Sequence, residues 1–454
     1  MRRAHGVTDA DALQRLHERH PARYPVLLES VGGGPDLGRY DLLLALPGAM
    51  LVQHPDGRLE GPPAAAGMER FLDALDACWS SERIEERRSE TVPFAGGWFL
   101  YLGYELAAQI EPTLRLPTSR LPRAVAWRMR GAIVRDRQTG ELALHAEPGL
   151  EERLRTQFTD DVSRADPVAV RRDPPRTVAG AVEEEPPERF LRGVHDVLEA
   201  IGRGDVYQAN LSRAWRAPLA PGATCGELYR RLRAANPAPF AGSAALPGFW
   251  LLSSSPERLL RVRGRVASTR PIAGTRPRGA TQDEDAALRT ELRLNEKEQA
   301  EHVMLVDLER NDLGRICRGG TVEVDEFMII ETYATVHHIV SNVRGELRAG
   351  VTPGEAIAAV FPGGTITGCP KVRCMELLGE IEGAPRDAYT GSMGYLGRDG
   401  ALDLNILIRT LVVRDGMIEF RTGAGIVADS HAESELEETR AKARGLLRAL
   451  GSDA

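Results

Sequence analysis

Residues 402–427 read LDLNILIRTLVVRDGMIEFRTGAGIV and consist of two apolar runs joined by the turn Arg414–Gly416. Apolar, β-branched runs on either side of an Asp-Gly turn are typical of an antiparallel hairpin. Further strand-like runs lie at 248–255, 258–264, 265–269 and 337–347. Helical periodicity is found at 185–204, 283–314, 352–361 and 432–450. Because tight turns join neighbouring strands, we expect an α+β fold of antiparallel β-sheets packed with helices.

The composition of the 454-residue chain is that of a folded protein with a sizeable core, since 42% of the residues are hydrophobic and 27% are charged. The formal net charge of −7 indicates no nucleic-acid partner. No N-terminal apolar segment and no bilayer-length apolar run is present, so we expect no membrane association. Five cysteines without metal-ligand spacing indicate reduced thiols, and the expected location is cytoplasmic.

The stretch between the two halves of the chain is rich in proline. Five prolines alternate with charged residues between Asp160 and Glu188, and large apolar residues are few. This composition indicates a linker or a long surface crossing. We therefore expect an N-terminal part at 1–160, a linker at 161–188 and a C-terminal part at 189–454.

Two glutamate pairs occur at i,i+3 spacing on predicted helices, Glu298 with Glu301 and Glu435 with Glu438. Residues at this spacing share one helix face. Paired carboxylates without cysteine ligands suit a hard cation, and Mg²⁺ is the simplest candidate. The alternative is a solvated helix face for the first pair and carboxylates that complement a helix N-terminus for the second.

The Gly-Ala-Gly turn at 423–425 follows a predicted strand. Small residues let backbone N–H groups approach an anion, although a plain tight turn is the simpler explanation. Ser430 followed by Glu433 predicts a capping box that starts the last helix near Ser430. Arg409 lies inside the apolar run LNILIRTLV, where a guanidinium needs an anionic partner. That partner is either a substrate carboxylate or an internal Asp or Glu.

His338 lies on the same predicted strand face as Val336 and Val340, which is the pattern of a core histidine. The segment GGTITGCPK at 363–371 has glycines spaced as in a phosphate loop, but Cys369 and Pro370 replace the required Lys and Ser or Thr. A nucleotide site is therefore excluded. The residues alone predict an α+β enzyme with a carboxylate-rich, Mg²⁺-dependent site for an anion.

Ten ordered blocks cover most of the chain: YPVLLES (24–30), GGWFLYLGYE (96–105), GDVYQANLSR (204–213), SSPERLL (254–260), PIAGTRPRG (271–279), KEQAEHVMLVDLERNDLGRI (297–316), FPGGTITGCPKVRCMELL (361–378), YTGSMGYLG (389–397), IRTL (408–411) and GAGIVADS (423–430). Together they resemble the chorismate-utilising enzymes, in particular component I of aminodeoxychorismate synthase and of anthranilate synthase. So many blocks in one order identify the chain as a member of this family.

The resemblance implies a site for chorismate, whose ring carboxylate these enzymes hold on Mg²⁺. The matching metal positions are Glu301 and Glu438, with Glu298 and Glu435 nearby. Glu257 of SSPERLL matches the general acid that protonates the departing C4 hydroxyl. Such an acid lowers the barrier because hydroxide is a poor leaving group.

The resemblance also implies that His338 lies in the active site, against the expectation of a core position. The positions that match chorismate-binding residues are Gly274, Thr275, Tyr389, Arg409, Gly423, Ala424 and Gly425. Lys371 lies in a segment that resembles part of the site, and we include it among the substrate-binding candidates.

Gln208 and Ala273 bear on which reaction is catalysed. Related enzymes that add water carry a lysine base where this chain has Gln208, and a glutamine cannot deprotonate water, so ammonia is the expected nucleophile. FPGGTITG, YQANLSR, GSMGYLG and the chain length favour the aminodeoxychorismate branch, which leads to 4-aminobenzoate and folate. Against it, aminodeoxychorismate synthases read PIKGT, with a nucleophilic lysine, whereas this chain has Ala273 in PIAGT, as anthranilate synthases do. We expect 4-amino-4-deoxychorismate as the product, with anthranilate as the alternative.

The segment LLES resembles a tryptophan pocket of the family, to which Leu28, Glu29 and Ser30 would contribute; an ordinary strand end is the alternative. The resemblance further implies a separate glutaminase subunit that supplies ammonia. A different class of function is a catalytically silent sensor of chorismate or tryptophan. The presence of Glu257 argues against a sensor, which has no need of a general acid.

Overall fold

The computed structural model describes residues 11–32, 38–85, 93–163, 176–333 and 336–452. Within these ranges no helix is long and apolar enough to cross a membrane. The α-helices are α1 Ala12–Arg19, α2 Phe71–Glu82, α3 Ala107–Ile110, α4 Glu151–Ser163, α5 Pro187–Gly202, α6 Cys225–Ala235, α7 Gln282–Leu294, α8 Glu296–Gly314, α9 Pro353–Val360, α10 Lys371–Glu382 and α11 Ala432–Leu450. Short 3₁₀ turns occupy Pro63–Ala65, Tyr104–Leu106 and Gly364–Ile366.

The strands pair with one another in antiparallel fashion throughout the described residues. They are β1 Val26–Glu29, β2 Tyr40–Gln53, β3 Leu59–Glu60, β4 Gly97–Leu102, β5 Ala124–Asp136, β6 Leu142–Ala146, β7 Glu183–Glu184, β8 Gln208–Pro218, β9 Phe240–Leu246, β10 Phe249–Ser255, β11 Arg258–Arg263, β12 Val266–Arg270, β13 Ile272–Pro277, β14 Glu323–Thr332, β15 Val336–Glu346, β16 Gly368–Cys369, β17 Ser392–Gly397, β18 Leu402–Asn405, β19 Thr410–Arg414 and β20 Met417–Ile426.

The predicted α+β fold with antiparallel sheets is confirmed. The strands follow one another in space in the order β14–β15–β12–β11–β18–β17–β4–β5–β2–β1–β9–β10–β19–β20–β8. The hairpin predicted at Arg414–Gly416 joins β19 to β20. Asp415 and Gly416 both have positive φ, 51° and 73°, which is the conformation that a tight two-residue hairpin turn requires.

Strands of the N-terminal part pair directly with strands of the C-terminal part. In the β1–β9 ladder Leu27 lies opposite Ser243, and in the β4–β17 ladder Gly97 lies opposite Gly397. A Cβ at Gly97 would lie 2.0 Å from the Leu396 carbonyl oxygen, so this close approach requires glycine. The boundaries at 160 and 189 stay a prediction, and residues 164–175 of the predicted linker lie outside the described residues.

Helices cover the strands that carry the candidate site. Helices α5, α10 and α11 pack against β8 and β20 around the buried residues Val194, Leu211, Leu378 and Ala424. Helix α8 packs against β13 and β15 from another side. The glutamate-bearing helices α8 and α11 therefore both reach the region where β8, β13, β15 and β20 lie.

The capping box predicted at Ser430 is wrong. Helix α11 begins at Ala432, after His431, and no side chain caps it. The Ser430 hydroxyl instead accepts a hydrogen bond from the Val427 N–H, 3.1 Å away. The local turn uses the hydroxyl that the sequence pattern assigned to the helix.

Candidate active site

Gln208 and Glu301 join β8 to α8. The Asn295 side chain caps α8 by accepting a hydrogen bond from the Glu298 N–H at 3.0 Å. Glu301, one turn further along, accepts a hydrogen bond from Gln208 Nε2 at 2.7 Å. Burial raises the pKa of Glu301, and the negative charges of Glu298 and Glu438 add to that rise. The hydrogen bond from Gln208 and the positive charge of Lys442 oppose this rise.

The turn predicted at Gly423–Gly425 is wrong, because these residues lie inside β20 and pair with Ser212, Leu211 and Asn210 of β8. A Cβ at Gly423 would lie 2.7 Å from the Tyr389 hydroxyl oxygen, and a Cβ at Gly425 would lie 2.6 Å from Gln208 Nε2. Larger residues at these two positions would clash with both groups. The small residues of this strand thus let Tyr389 and Gln208 approach the backbone of β20 closely.

Lys442 is a site residue that the sequence analysis missed. Its Nζ lies 2.7 Å from Glu438 Oε1 and donates to the Gly423 carbonyl oxygen at 3.0 Å. Burial opposes the charged form, but Glu438 raises the pKa of Lys442 above its ordinary value. The signal was available in the sequence, because Lys442 is one of three lysines in an arginine-rich chain and lies one helical turn after Glu438.

Glu257 lies between β10 and β11 and is buried, with 4% of its surface exposed. Its Oε1 has no hydrogen-bond partner among the described residues. Burial raises the pKa of Glu257 to about 7, although Arg409 and Lys442 both favour the carboxylate. A carboxyl with this pKa and an unpaired oxygen has the properties of a general acid at neutral pH.

Arg409 directly precedes β19 and has a φ of 51°. Across the described parts of the chain its guanidinium forms no hydrogen bond and no ion pair with a carboxylate. Burial lowers its pKa, and Glu257 partly counteracts this. The sequence leaves two possible partners for Arg409, a substrate carboxylate or an internal Asp or Glu. The described residues supply no Asp or Glu at ion-pair distance, which favours an external anion.

His338 on β15 lies opposite Thr275 of β13. Its Nδ1 is 2.9 Å from Thr275 Oγ1, and its Nε2 is buried without a partner among the described residues. Burial lowers the pKa of His338 to about 3, so the ring is neutral. Gly274, with a φ of 63°, leaves no room for a Cβ, which would lie 3.0 Å from Glu298 Oε2. His338 is thus buried, as a core residue is, and it also lies in the candidate site. Ala273, which precedes Gly274, is buried as well.

Two further site candidates, Lys371 and Glu435, have neighbours that the chain itself supplies. The Lys371 ammonium donates to Asp312 Oδ2 at 2.5 Å and to the Val360 carbonyl oxygen at 3.2 Å, so the chain itself supplies its partners. Glu435 is buried, with Ser430 and Glu438 as neighbours. In the described part of the chain no three His, Cys, Asp or Glu residues lie close enough to hold a metal ion, and the Mg²⁺ site stays a prediction.

Leu28, Glu29 and Ser30 line a separate cavity of about 380 Å³ between β1 and the C-terminal strands. Glu29 is buried and accepts a hydrogen bond from the Tyr229 hydroxyl at 2.8 Å. Arg233 lies 3.2 Å from its other oxygen. These contacts lie within the chain and do not test whether tryptophan binds here, so tryptophan binding stays a prediction.

Comparison with known proteins identifies the family of the chain. The model of the chorismate binding enzyme family matches residues 46–448. An anthranilate synthase component I-like protein of Synechocystis is 41% identical over 92% of this chain and 84% of its own length. The aminodeoxychorismate synthase component 1 of Bacillus subtilis is 39% identical over 94% of this chain and 92% of its own length.

The structural comparison agrees with the sequence comparison. Anthranilate synthase component I from Streptococcus pneumoniae superimposes with a TM-score of 0.80 and 29% identity, over 91% of this chain and 93% of that one. The family model spans the strands and helices that carry Glu257, Glu301, His338 and Arg409. The chain belongs to the chorismate-binding enzyme family.

Proposed function

We propose that this chain converts chorismate and ammonia into 4-amino-4-deoxychorismate and water, as the chorismate-binding component of an aminodeoxychorismate synthase. The observation that carries the proposal is the buried Glu257 carboxyl, whose Oε1 is unpaired, beside the Arg409 guanidinium, which has no partner among the described residues. One group supplies a proton and the other a positive charge. This combination suits a substrate that has a carboxylate and a hydroxyl leaving group.

Glu257 performs the proton transfer in this proposal. Its carboxyl gives a proton to the C4 hydroxyl, the C4–O bond breaks, and water leaves. A positioned acid contributes about 10²- to 10⁴-fold to the rate of such a step. The nitrogen of ammonia forms the new C–N bond and loses a proton to the surroundings.

Arg409, Lys442 and the backbone of β20 at residues 423–425 orient the anionic substrate. Arg409 binds one carboxylate through its guanidinium, which is suited to bidentate contacts. Gln208 takes no proton from water, so ammonia is the nucleophile. The ammonia comes from a separate glutaminase subunit, and chorismate is the second small-molecule partner.

The residues proposed to hold Mg²⁺ are Glu301 and Glu438, with Glu298 and Glu435 nearby. Glu301 is buried close to the carboxylates of Glu298 and Glu438, and a divalent cation in this position would offset their negative charge. When bound, Mg²⁺ would neutralise the ring carboxylate of chorismate. The binding of Lys442 to Glu438 supplies one positive charge on the same side of the site.

Anthranilate synthesis is the second candidate function, and Ala273 favours it. This residue stands where the sequence analysis expects a lysine in aminodeoxychorismate synthases. Ala273 is buried, with 6% of its surface exposed, and its side chain has no amine that could act as a nucleophile from this strand position. In our proposal ammonia therefore reacts without a covalent lysine adduct.

The test is the identity of the product. The purified full chain is incubated with chorismate, Mg²⁺ and ammonium sulfate, and the products are separated by mass and ultraviolet spectrum. A product that retains the enolpyruvyl group and yields 4-aminobenzoate when a lyase is added supports the proposal. Anthranilate with released pyruvate would replace it by the second candidate, and no consumption of chorismate would support a silent sensor.

A further inference from the structure

Arg386 and Glu382 form a buried ion pair that the proposed reaction does not use. Glu382 is the last residue of α10, Arg386 follows four residues later, and the two are 6% and 3% exposed. Arg386 donates from Nε to Glu382 Oε2 at 2.9 Å and from Nη2 to Glu382 Oε1 at 2.6 Å. Because the removal of two charges from water offsets much of their attraction, a buried pair is weak evidence for a purely stabilising role. The other contacts of the guanidinium show what the pair holds in place.

The guanidinium also joins β8 to the 3₁₀ turn Gly364–Ile366. Arg386 Nη2 donates to the Asn210 carbonyl oxygen at 2.6 Å, and Nη1 donates to the Ile366 carbonyl oxygen at 3.2 Å. The Asn210 side chain donates to the same Ile366 oxygen at 3.1 Å. Asn210 lies on β8 two residues after Gln208. One side chain therefore fixes the strand that carries Gln208 against the neighbouring turn.

Arg386 is connected to Tyr389 by three contacts. Its guanidinium carbon lies 5.6 Å from the centre of the Tyr389 ring, and its carbonyl oxygen accepts a hydrogen bond from the Tyr389 N–H at 2.9 Å. The Thr390 hydroxyl accepts a hydrogen bond from Arg386 Nη1 at 3.4 Å and donates to the Tyr389 carbonyl oxygen at 2.5 Å. The Tyr389 hydroxyl itself lies beside Gly423. The contacts of the ion pair thus extend to a substrate-binding candidate.

The backbone on both sides of Tyr389 is strained. Asp387 and Thr390 have φ angles of 52° and 62°, in the left-handed region that a β-branched residue such as threonine rarely adopts. The Thr390 N–H donates to the Leu407 carbonyl oxygen at 2.8 Å, which joins this segment to Arg409, two residues further on, with a φ of 51°. Strained conformations persist where the surrounding contacts enforce them, and they cluster at ligand-binding sites. The fold therefore enforces one position for the segment that carries Tyr389.

We propose that Arg386 is a positioning residue that fixes the Tyr389 hydroxyl in the substrate-binding part of the site. The inference rests on the proposed function, and it adds Tyr389 to the groups that orient the anionic substrate. Arg386 touches no substrate and acts through Tyr389. Without its guanidinium the tyrosine loses its fixed position and chorismate binds less tightly, whereas Glu257 still supplies the proton.

The experiment is a double-mutant cycle in the full chain, with steady-state kinetics at saturating Mg²⁺ and ammonium. Arg386→Lys keeps a positive charge beside Glu382 but loses the planar set of donors that reaches the neighbouring segments. We expect the KM for chorismate to rise by about tenfold with kcat within about threefold of wild type, since a misplaced group costs up to about 100-fold. Tyr389→Phe should also raise KM. Adding Arg386→Lys to Tyr389→Phe should raise KM by less than about twofold further, because residues that act through one another are not additive.

Arg213→Lys is the matched control. Arg213 is also fully buried and paired with a carboxylate, that of Glu184, but its side chain leaves β8 on the opposite face from Gln208. This variant should lower the melting temperature as Arg386→Lys does, with the KM for chorismate unchanged. An unchanged KM in Arg386→Lys, or KM effects that multiply in the double variant, would show a purely structural role and overturn the inference.

Thr390→Ala is a second test that leaves the ion pair in place, and it decides the matter where Arg386→Lys does not fold. It removes the hydroxyl that links Arg386 to the Tyr389 backbone, and KM should rise by about threefold, as for the loss of one neutral hydrogen bond. An unchanged KM would overturn the inference. Wild-type enzyme that consumes no chorismate would instead contradict the proposed function, so the two failures are distinguishable.

Discussion

Glu257 and Glu29 are chemically alike and equally buried, each 4% exposed, yet their surroundings differ. Both oxygens of Glu29 have partners, since Tyr229 donates to one and Arg233 lies beside the other. Glu257 has an oxygen without a partner among the described residues. Burial raises the pKa of both groups. The comparison teaches that a raised pKa alone does not distinguish the two carboxyls, whereas the unsatisfied oxygen of Glu257 does, and it is this oxygen that supports the proposed role as an acid.

The same contrast applies to the arginines of the two regions. Arg233 contacts Glu29 and Asp11, and Arg258, on the wall of the cavity beside Glu29, contacts Asp403. Arg409 has no such carboxylate within the described residues. The charges around Glu29 are thus paired within the chain, whereas the charge of Arg409 near Glu257 is not paired with a described carboxylate.

The largest effect is expected at the proposed Mg²⁺ ligands. Glu301→Ala or Glu438→Ala should reduce Mg²⁺-dependent turnover with ammonium by about 10³-fold or more, since a bound metal stabilises transition-state charge by several kcal/mol. Initial rates across a Mg²⁺ titration measure it. Glu437→Ala, an exposed neighbour on α11 that pairs with Arg440, is the control. Near-normal rates in both test variants would show that these carboxylates do not hold the metal.

Removal of the unpaired guanidinium should affect binding and leave stability unchanged. Arg409→Met should raise the KM for chorismate by about 10- to 100-fold, because a hydrogen bond to a charged group contributes about 1.5–3 kcal/mol. Steady-state kinetics and a thermal melt of the same sample measure both quantities. Arg414→Met, near the end of the same strand, should leave KM unchanged. A fall in the melting temperature at an unaltered KM would show that Arg409 contributes to stability and not to substrate binding.

For Glu29 we expect the reverse, a loss of stability with little change in activity. Glu29→Gln should lower the free energy of unfolding by about 1–3 kcal/mol, because it weakens buried contacts with Tyr229 and Arg233. The kcat/KM for chorismate should stay within about twofold of wild type. Denaturant unfolding followed by circular dichroism gives the stability. A lost activity without lost stability would mean that this pocket communicates with the site.

The smallest effect is expected at position 273. Ala273→Lys places an amine beside Gly274, where the sequence analysis notes a lysine in related enzymes. If ammonia reacts without a covalent adduct, the product should remain the same and the rate should change little. Product analysis by mass and ultraviolet spectrum decides this. A new product would show that this position determines where nitrogen is attached.

The sequence predicts the fold class well, because the antiparallel hairpins are encoded locally. The turn at Asp415–Gly416 and the strands on either side can be read from adjacent residues. The pairing of β1 with β9 and of β4 with β17 cannot be read in this way, since it joins residues that are far apart in the chain and depends on the packing of the whole molecule. The wrong capping box at Ser430 has a similar cause, because a turn three residues earlier competes for the same hydroxyl.

The site shows the same division between what the sequence contains and what only the structure shows. Glu257, Arg409 and His338 can be proposed from their motifs, and the structure brings them into one cluster. Lys442 could have been proposed from its spacing after Glu438 but was not. The hydrogen bond between Gln208 of β8 and Glu301 of α8 joins segments that are distant in sequence, and no local pattern indicates it.

The most direct test of the central claim, that Glu257 is the general acid, is a comparison of Glu257→Gln with wild type. We predict that the rate of chorismate consumption falls by about 10²- to 10⁴-fold, the range that a positioned acid contributes. Chorismate affinity, measured by calorimetry, should change less than threefold, and the melting temperature should not fall. A rate within about tenfold of wild type, or a loss of stability like that expected for Glu29→Gln, would contradict the account.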